Sequence, residues 1–345
     1  MIREMFKKER SEATILDFTD GFREKKITIE TRTDAFTRRV SRVVTFRWKL
    51  PASSHDRPAI DKSRDTCPFC PERIKDHTPR FPPDLIPEGR IQHNATTIIP
   101  NAFPYCQYCG VAIFSGDHYL SMDRITKETL LNALEASLLF FKRVNRYDSR
   151  VRYPSINWNY MPTSGGSLFH PHFQVVANPN PTTFHAHLIH ASQNYHQQHE
   201  QNYWADLVAF EKEQGYRYLF SIGRVHFLST YSPGGIFGEV LVVFDGVSCM
   251  AEFTPPIQSA FADGMIHLLK MFHRLHLDNL NMALLMSIDP DPDCWVQARI
   301  MPRIVIPPWG TSDVNYFEKG HDERVVIFSP EELATEIRKT VEERS

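Results

Sequence analysis

The chain has 345 residues, 42% of them apolar and 23% charged, with a net charge of -2, so it can bury a sizeable core as one large domain or two ordinary ones. A balance this close to neutral argues against a nucleic-acid or anionic-membrane surface built on bulk charge. Met1 to Arg10 lacks the apolar core of a signal peptide, and no run reaches the about eighteen apolar residues of a membrane span, so a cytoplasmic protein is expected.

Residues 1 to 26 are charged and read as irregular, and Ile27 to Lys49 alternates in a way that predicts two or three strands. Pro51 to Arg90, rich in Pro, Asp and Arg, reads as a loop region held together by something other than a core. Strands are expected at Ala95 to Pro100 and Gly110 to Phe114, then a helix from Thr126, its N-cap, to Val144. Arg152 to Tyr160 and Phe169 to Ala177 read as paired strands joined by the turn Thr163 to Ser167. After a linker, Asn194 to Gln214 is expected to be helical, Tyr216 to Leu228 and Val240 to Phe244 to be strands, and Pro255 to Leu277 a long helix. Asn281 to Ile288 and Trp295 to Val305 follow as strands. The order helix, strand, turn, strand thus occurs twice, which reads as a degenerate internal duplication. Ser329 to Glu332 forms a capping box for a last helix reaching about Glu342.

Within this layout His170-Pro171-His172-Phe173-Gln174 carries the most chemistry. Alternate residues of a strand share a face, so His170, His172 and Gln174 are expected to point into one site. A neutral imidazole can attack phosphorus and hold the transferred group as a phosphoramidate, and an amide can donate to a phosphoryl oxygen as charge builds there. The six cysteines include two CxxC pairs, Cys67/Cys70 and Cys106/Cys109, which in a reducing compartment read as metal ligands before disulfides. By spacing alone these four can form a four-thiolate metal site.

Asn159 lies eleven residues before His170 and Ser167 three before it. In these spacings, and in the HPHxQ strand itself, the chain resembles the galactose-1-phosphate uridylyltransferase branch of the histidine-triad superfamily, over roughly residues 30 to 340. The resemblance implies an α+β fold of two histidine-triad-like halves, each an antiparallel sheet with packed helices, placed at 27–190 and 191–345. It implies that His172 is the nucleophile, that Gln174 and Ser167 contact the phosphates, and that Asn159 helps position the nucleotide beside the Gly165-Gly166 turn. A nucleophilic imidazole needs its second nitrogen held by an acceptor, and a carbonyl of the Gly165 to Ser167 turn is expected to supply it.

The same resemblance implies one structural zinc on Cys67, Cys70, His118 and His170, a closed tetrahedral set that would staple the Pro-rich loop to the catalytic strand. The four-cysteine arrangement stands as the alternative. Phe173 departs from the Gly usual after the nucleophile, and is expected to reshape the pocket beside the nucleotide. Gln297-Ala298-Arg299 stands where the family often has an HxH pair, so a second metal site is not expected, and Arg299 becomes a candidate phosphate-binding cation. Arg47 is a further phosphate candidate and Glu318 a candidate for acceptor hydroxyls. The histidines between Phe184 and His199 match no catalytic metal motif and are expected to face solvent in a loop leading into a helix.

The resemblance implies a ping-pong nucleotidyl transfer from a nucleoside diphosphate-linked donor to a phosphorylated acceptor, in a homodimer, with no nucleic acid or membrane partner. Two alternatives stand beside it. One is a phosphorylase or hydrolase using phosphate or water as acceptor. The other is a non-catalytic, zinc-stabilised nucleotide-binding protein.

Overall fold

The computed structural model of the protein describes residues 2–44, 57–306 and 311–342. The chain opens with a hairpin of β1 (Phe6–Asp17) and β2 (Arg23–Asp34), followed by β3 (Arg39–Val43). Residues 1 to 26 are therefore not irregular. The outer part of this ribbon is exposed on both faces, so it carries none of the alternation that signals a half-buried strand. A loop segment follows with the short helices α1 (Arg57–Ser63) and α2 (Ile74–His77).

Then come β4 (Ile91–His93), β5 (Thr96–Pro100), β6 (Tyr108–Ile113), α3 (Lys127–Tyr147), β7 (Tyr153–Tyr160) and β8 (His172–Asn178). The Thr126 side chain accepts from Thr129 N, capping α3 as expected. Two helices, α4 (Thr183–His199) and α5 (Tyr203–Gln214), replace the expected single one. Asn202 separates them by capping Trp204 N and Ala205 N. The second round is β9 (Tyr218–Ile222), β10 (Val225–Ser229), β11 (Val240–Phe244), α6 (Pro255–Arg274), β12 (Asn279–Leu285) and β13 (Gln297–Arg303). The expected strand from Tyr216 to Leu228 is a hairpin that turns at Gly223, whose φ of 55° suits glycine. The pairs β14 (Val305–Ile306) and β15 (Thr311–Ser312), helix α7 (Tyr316–His321), strand β16 (Glu323–Val326) and helix α8 (Pro330–Glu342) complete the described chain. Ser329 and Glu332 make both bonds of the capping box at α8.

Strands β4 to β13 form one sheet in the order β4-β5-β6-β8-β7-β12-β13-β11-β10-β9. The order is symmetric about the β7–β12 seam, and α3-β7-β8 and α6-β12-β13 occupy equivalent places. The duplication read from the sequence is thus present as two five-stranded halves joined edge to edge. All ladder neighbours in this sheet run antiparallel. One face packs α3 and α6 around Phe140, Phe141, Trp158, Phe173, Phe227 and Phe261, all nearly devoid of exposure. No helix among the described residues is long and apolar enough to cross a membrane.

The opposite face has covers at its two ends. Over the C-terminal half, Leu188, Tyr195, Tyr203 and Trp204 of α4 and α5 pack on Leu228, Leu241 and Val243. Over the N-terminal half, Phe69 and Ile74 of the Pro-rich loop pack on Ile99, Val111 and Ile113. Between the covers the strands present His172 and Gln174 of β8, Asn157 and Asn159 of β7, and Asn281 of β12, as the cross-strand register requires.

Candidate active site

His172 opens β8 and pairs with Ile113. Its Nδ1 lies 2.7 Å from the carbonyl oxygen of His170. A carbonyl only accepts, so Nδ1 carries the proton and Nε2 keeps its lone pair. The acceptor is thus the backbone two residues upstream, not the Gly165 to Ser167 turn. Burial lowers the His172 pKa against the opposing pull of that bond, keeping the ring neutral. Gln174 shares the face of His172, and its Oε1 accepts from the Tyr105 hydroxyl at 2.7 Å. This leaves the Gln174 amide nitrogen to donate elsewhere. Tyr105 carried no sequence signal beyond lying beside a CxxC pair.

The turn before β8 is built tightly around Asn159. Met161 has φ 74° and ψ 153°, a conformation that is nearly glycine-only. Gly165 has φ 92°, and a Cβ on Gly166 would stand 2.9 Å from the Asn159 carbonyl oxygen and 3.2 Å from that of Met161. Both glycines are therefore backbone requirements. Ser167 is exposed at the end of the turn. Asn281, across the seam from Asn159, donates from Nδ2 to Asn159 Oδ1 at 2.8 Å and to the Ser164 carbonyl at 2.7 Å.

Cys67, Cys70, His118 and His170 are all buried, with their ligand atoms within 4.8 Å of one another. The sulfur to Nδ1 separations are 3.7 Å for Cys67 and His170, 3.4 Å for Cys70 and His118, and 3.8 Å for Cys70 and His170. Tetrahedral bonds of ordinary length place sulfur and nitrogen ligands about 3.5 Å apart, so the set fits a metal ion. The far nitrogens are held as ligating histidines require: His170 Nε2 donates to the Ser115 carbonyl at 2.8 Å, and His118 Nε2 lies 3.1 Å from the Ile60 carbonyl. Burial and the neighbouring Cys67 push the Cys70 thiol up to about 12, a penalty that a cation among the sulfurs reverses. Among the described residues no other such group of His, Cys, Asp and Glu gathers. The structure thus assembles the mixed set, not the four cysteines. Phe69, between the two cysteines, stands edge-on to both His170 and His172.

Several expected residues lie elsewhere. Arg299 is 3% exposed at its side chain and gives its charge to Glu239 at 2.6 Å. Arg39 holds the same carboxylate at 2.6 Å, and the Arg299 guanidinium lies over the Phe184 ring. It is a buried ion pair under α4, not a cation waiting for phosphate. Phe173 points to the other face, packing on Phe114 and Trp158, and cannot shape a pocket beside His172. Glu318 sits on α7, which packs on β16, and no hydrogen bond to the site is made by it among the described residues. Arg47 lies outside the described residues. The histidines after Phe184 are on helix α4, where His185 is buried and His187 bonds the Phe36 carbonyl, while His190 and His196 are exposed.

No protein-family model matches the chain. An uncharacterised protein of Archaeoglobus fulgidus is 29% identical over 339 residues, covering 96% of this chain and 98% of that one. Among solved structures, a galactose-1-phosphate uridylyltransferase-like protein of Arabidopsis thaliana is similar with a TM-score of 0.69 at 16% identity, over 90% of this chain and 98% of that one. An ADP-glucose phosphorylase of the same plant, solved with bound ADP-glucose, gives 0.69 at 15% identity over 90% and 99%. A uridylyltransferase gives 0.64 at 17% identity over 91% and 98%. The likeness read from the Asn159 to Gln174 segment therefore extends to the fold, and the chain has the α+β fold of these solved structures.

Proposed function

We propose that the protein is a nucleotidyl-transferring enzyme in which His172 is the nucleophile. One observation carries the reading: a buried, neutral imidazole whose Nδ1–H is committed to the His170 carbonyl at 2.7 Å, beside an amide donor on the same strand face. Nε2 attacks the α-phosphorus of a nucleoside diphosphate-linked donor. The P–N bond forms as the bond to the bridging oxygen breaks, and that oxygen leaves with the electron pair on the departing phosphoryl group. An acceptor oxygen then attacks the same phosphorus, and the P–N electron pair returns to His172. Gln174 Nε2 donates to the phosphoryl oxygens as charge builds, with Ser167 and the Gly165-Gly166 backbone contributing at the turn. Asn159 positions the nucleotide.

The mixed cysteine and histidine set would hold zinc in a structural role. Its residues link the Pro-rich loop to the segment before His172 and hold Phe69 against the imidazole. All four positions are filled by protein, which leaves no coordination site for substrate.

A second reading, phosphorolysis, is favoured by the likeness to an ADP-glucose phosphorylase. It shares the first half-reaction and differs only in the acceptor. Both are tested by incubating the protein with UDP-glucose and ADP-glucose labelled at the α-phosphorus, trapping the protein adduct, and adding sugar 1-phosphates, inorganic phosphate or water. Labelled adduct on His172, absent from His172→Ala, is expected. A protein that forms no adduct with either donor refutes the enzyme reading.

A further inference from the structure

Asn159 faces the ligand side of the sheet, and which end of its amide points outward decides whether it donates or accepts. Three hydrogen bonds settle the answer from the other half of the molecule. Arg303, on β13, donates from Nη1 to Asn281 Oδ1 at 2.6 Å. A guanidinium has no acceptor, so the Asn281 atom facing it is the oxygen. The other end of Asn281 lies 2.7 Å from the Ser164 carbonyl, which only accepts, so that end is the nitrogen. Two independent partners thus fix Asn281 in one orientation. The same nitrogen lies 2.8 Å from the Asn159 amide, so the Asn159 atom facing it is its oxygen, and the Asn159 NH2 is turned away from the seam.

The relay is anchored at its far end. Arg303 Nε donates to Asp313 Oδ1 at 2.6 Å and Nη2 to Ser312 Oγ at 2.9 Å, and the Asp313 side chain is 3% exposed. Each of its three nitrogens donates to a protein group, and Nη1 does so to Asn281, so Arg303 acts on the site through that residue.

We infer that Arg303, through Asn281, is a positioning residue that locks the Asn159 amide with its NH2 toward the ligand, so that Asn159 recognises an acceptor oxygen of the bound nucleotide. This rests on the proposed nucleotidyl transfer, and it gives the half without a nucleophile a part in that reaction.

The test is Asn281→Asp, an isosteric change that still accepts from Arg303 but has no proton to offer Asn159 Oδ1 or Ser164. The Asn159 amide then turns its NH2 back toward the new carboxylate and presents its oxygen to the ligand. Equilibrium dialysis with UDP and ADP, and single-turnover adduct formation from the labelled donors, separate binding from chemistry. The dissociation constant is expected to rise roughly ten- to a hundredfold, as loss of a bond to a charged group implies. The adduct rate at saturating donor should stay within about twofold. Arg303→Lys keeps a charge on Asp313 but loses the fork; it should shift affinity in the same direction and serves where Asn281→Asp fails to fold. Unchanged affinity in a folded variant, with adduct still formed, overturns the relay alone. A wild-type protein that binds neither nucleotide and forms no adduct overturns the proposed function, and the relay with it.

Discussion

The Phe69 ring stands edge-on to the His172 imidazole, with centroids 5.3 Å apart and planes at 78°. Phe69 lies between Cys67 and Cys70, so the loop that carries two of the candidate metal ligands also supplies one wall of the proposed nucleophile, His172. Edge-to-face aromatic pairs contribute about 0.5–1.5 kcal/mol. Phe69→Ala should therefore slow adduct formation by up to about tenfold. Metal content, measured by plasma emission spectrometry, should not change, which separates orientation of the ring from integrity of the cluster.

One zinc ion per chain is expected in protein purified without chelator, and none in His170→Ala. Cys106→Ser should retain it. Because the ligands come from the Pro-rich loop, the segment after β6 and the segment preceding β8, zinc removal should lower the melting temperature and expose the Pro-rich loop to protease. Zinc retained in His170→Ala would contradict the mixed ligand set.

Gly166→Ala should destabilise the fold by about 1–3 kcal/mol, the usual cost of forcing a group into a filled site. The added carbon would meet the Asn159 carbonyl at 2.9 Å, so the backbone under Asn159 must shift. Urea denaturation and nucleotide dialysis on the same preparation should show both losses together.

Arg299→Met tests the reassignment of that residue. With Arg299 removed, Glu239, fully buried, keeps only Arg39 and the Gly234 amide among the described residues. Breaking a buried pair costs about 3 kcal/mol or more, so the denaturation midpoint should fall clearly. The adduct rate of the folded fraction should equal that of wild type. A selective loss of phosphate affinity would return Arg299 to the site.

Arg32 holds Glu331 with two bonds of 2.9 and 2.8 Å, fastening α8 to β2. Burial raises the Glu331 pKa, but these bonds and the Arg32 charge outweigh it, and the net shift is downward. A carboxylate depressed in the folded state gives stability that is present above its unfolded pKa and lost as pH falls through the folded one. Glu331→Gln should lower the melting temperature at pH 7, and the gap from wild type should shrink as pH falls below the ordinary carboxylate range.

What the sequence revealed was what local spacing encodes. The proposed nucleophile, Asn159 and the turn glycines lie in one short motif whose separations are visible in one dimension, the mixed metal set followed only from the family resemblance while spacing left four cysteines open, and the duplication follows from a repeated element order. Three kinds of information were out of reach. Phe173 and His172 are adjacent, and only the strand's placement between two cores shows that the phenyl ring belongs to the helical face. Arg303 meets Asn281 through the register of β12 on β13, which residue type does not specify, so Arg299, four residues earlier, drew the phosphate role on motif position alone. The N-terminal ribbon was missed because a strand exposed on both sides has no hydrophobic period.

The seam between β7 and β12 runs from the pair Leu280 and Tyr160 to the pair Leu285 and Ser155. A backbone ladder of this length allows no hinge, so the two halves cannot clamp down on a substrate as separate jaws. Whatever sequestration from water the chemistry needs must come from the loops that border the groove, and the sheet itself serves as a fixed floor. Substrate preference in this protein should therefore track changes in those loops, with the floor constant beneath them.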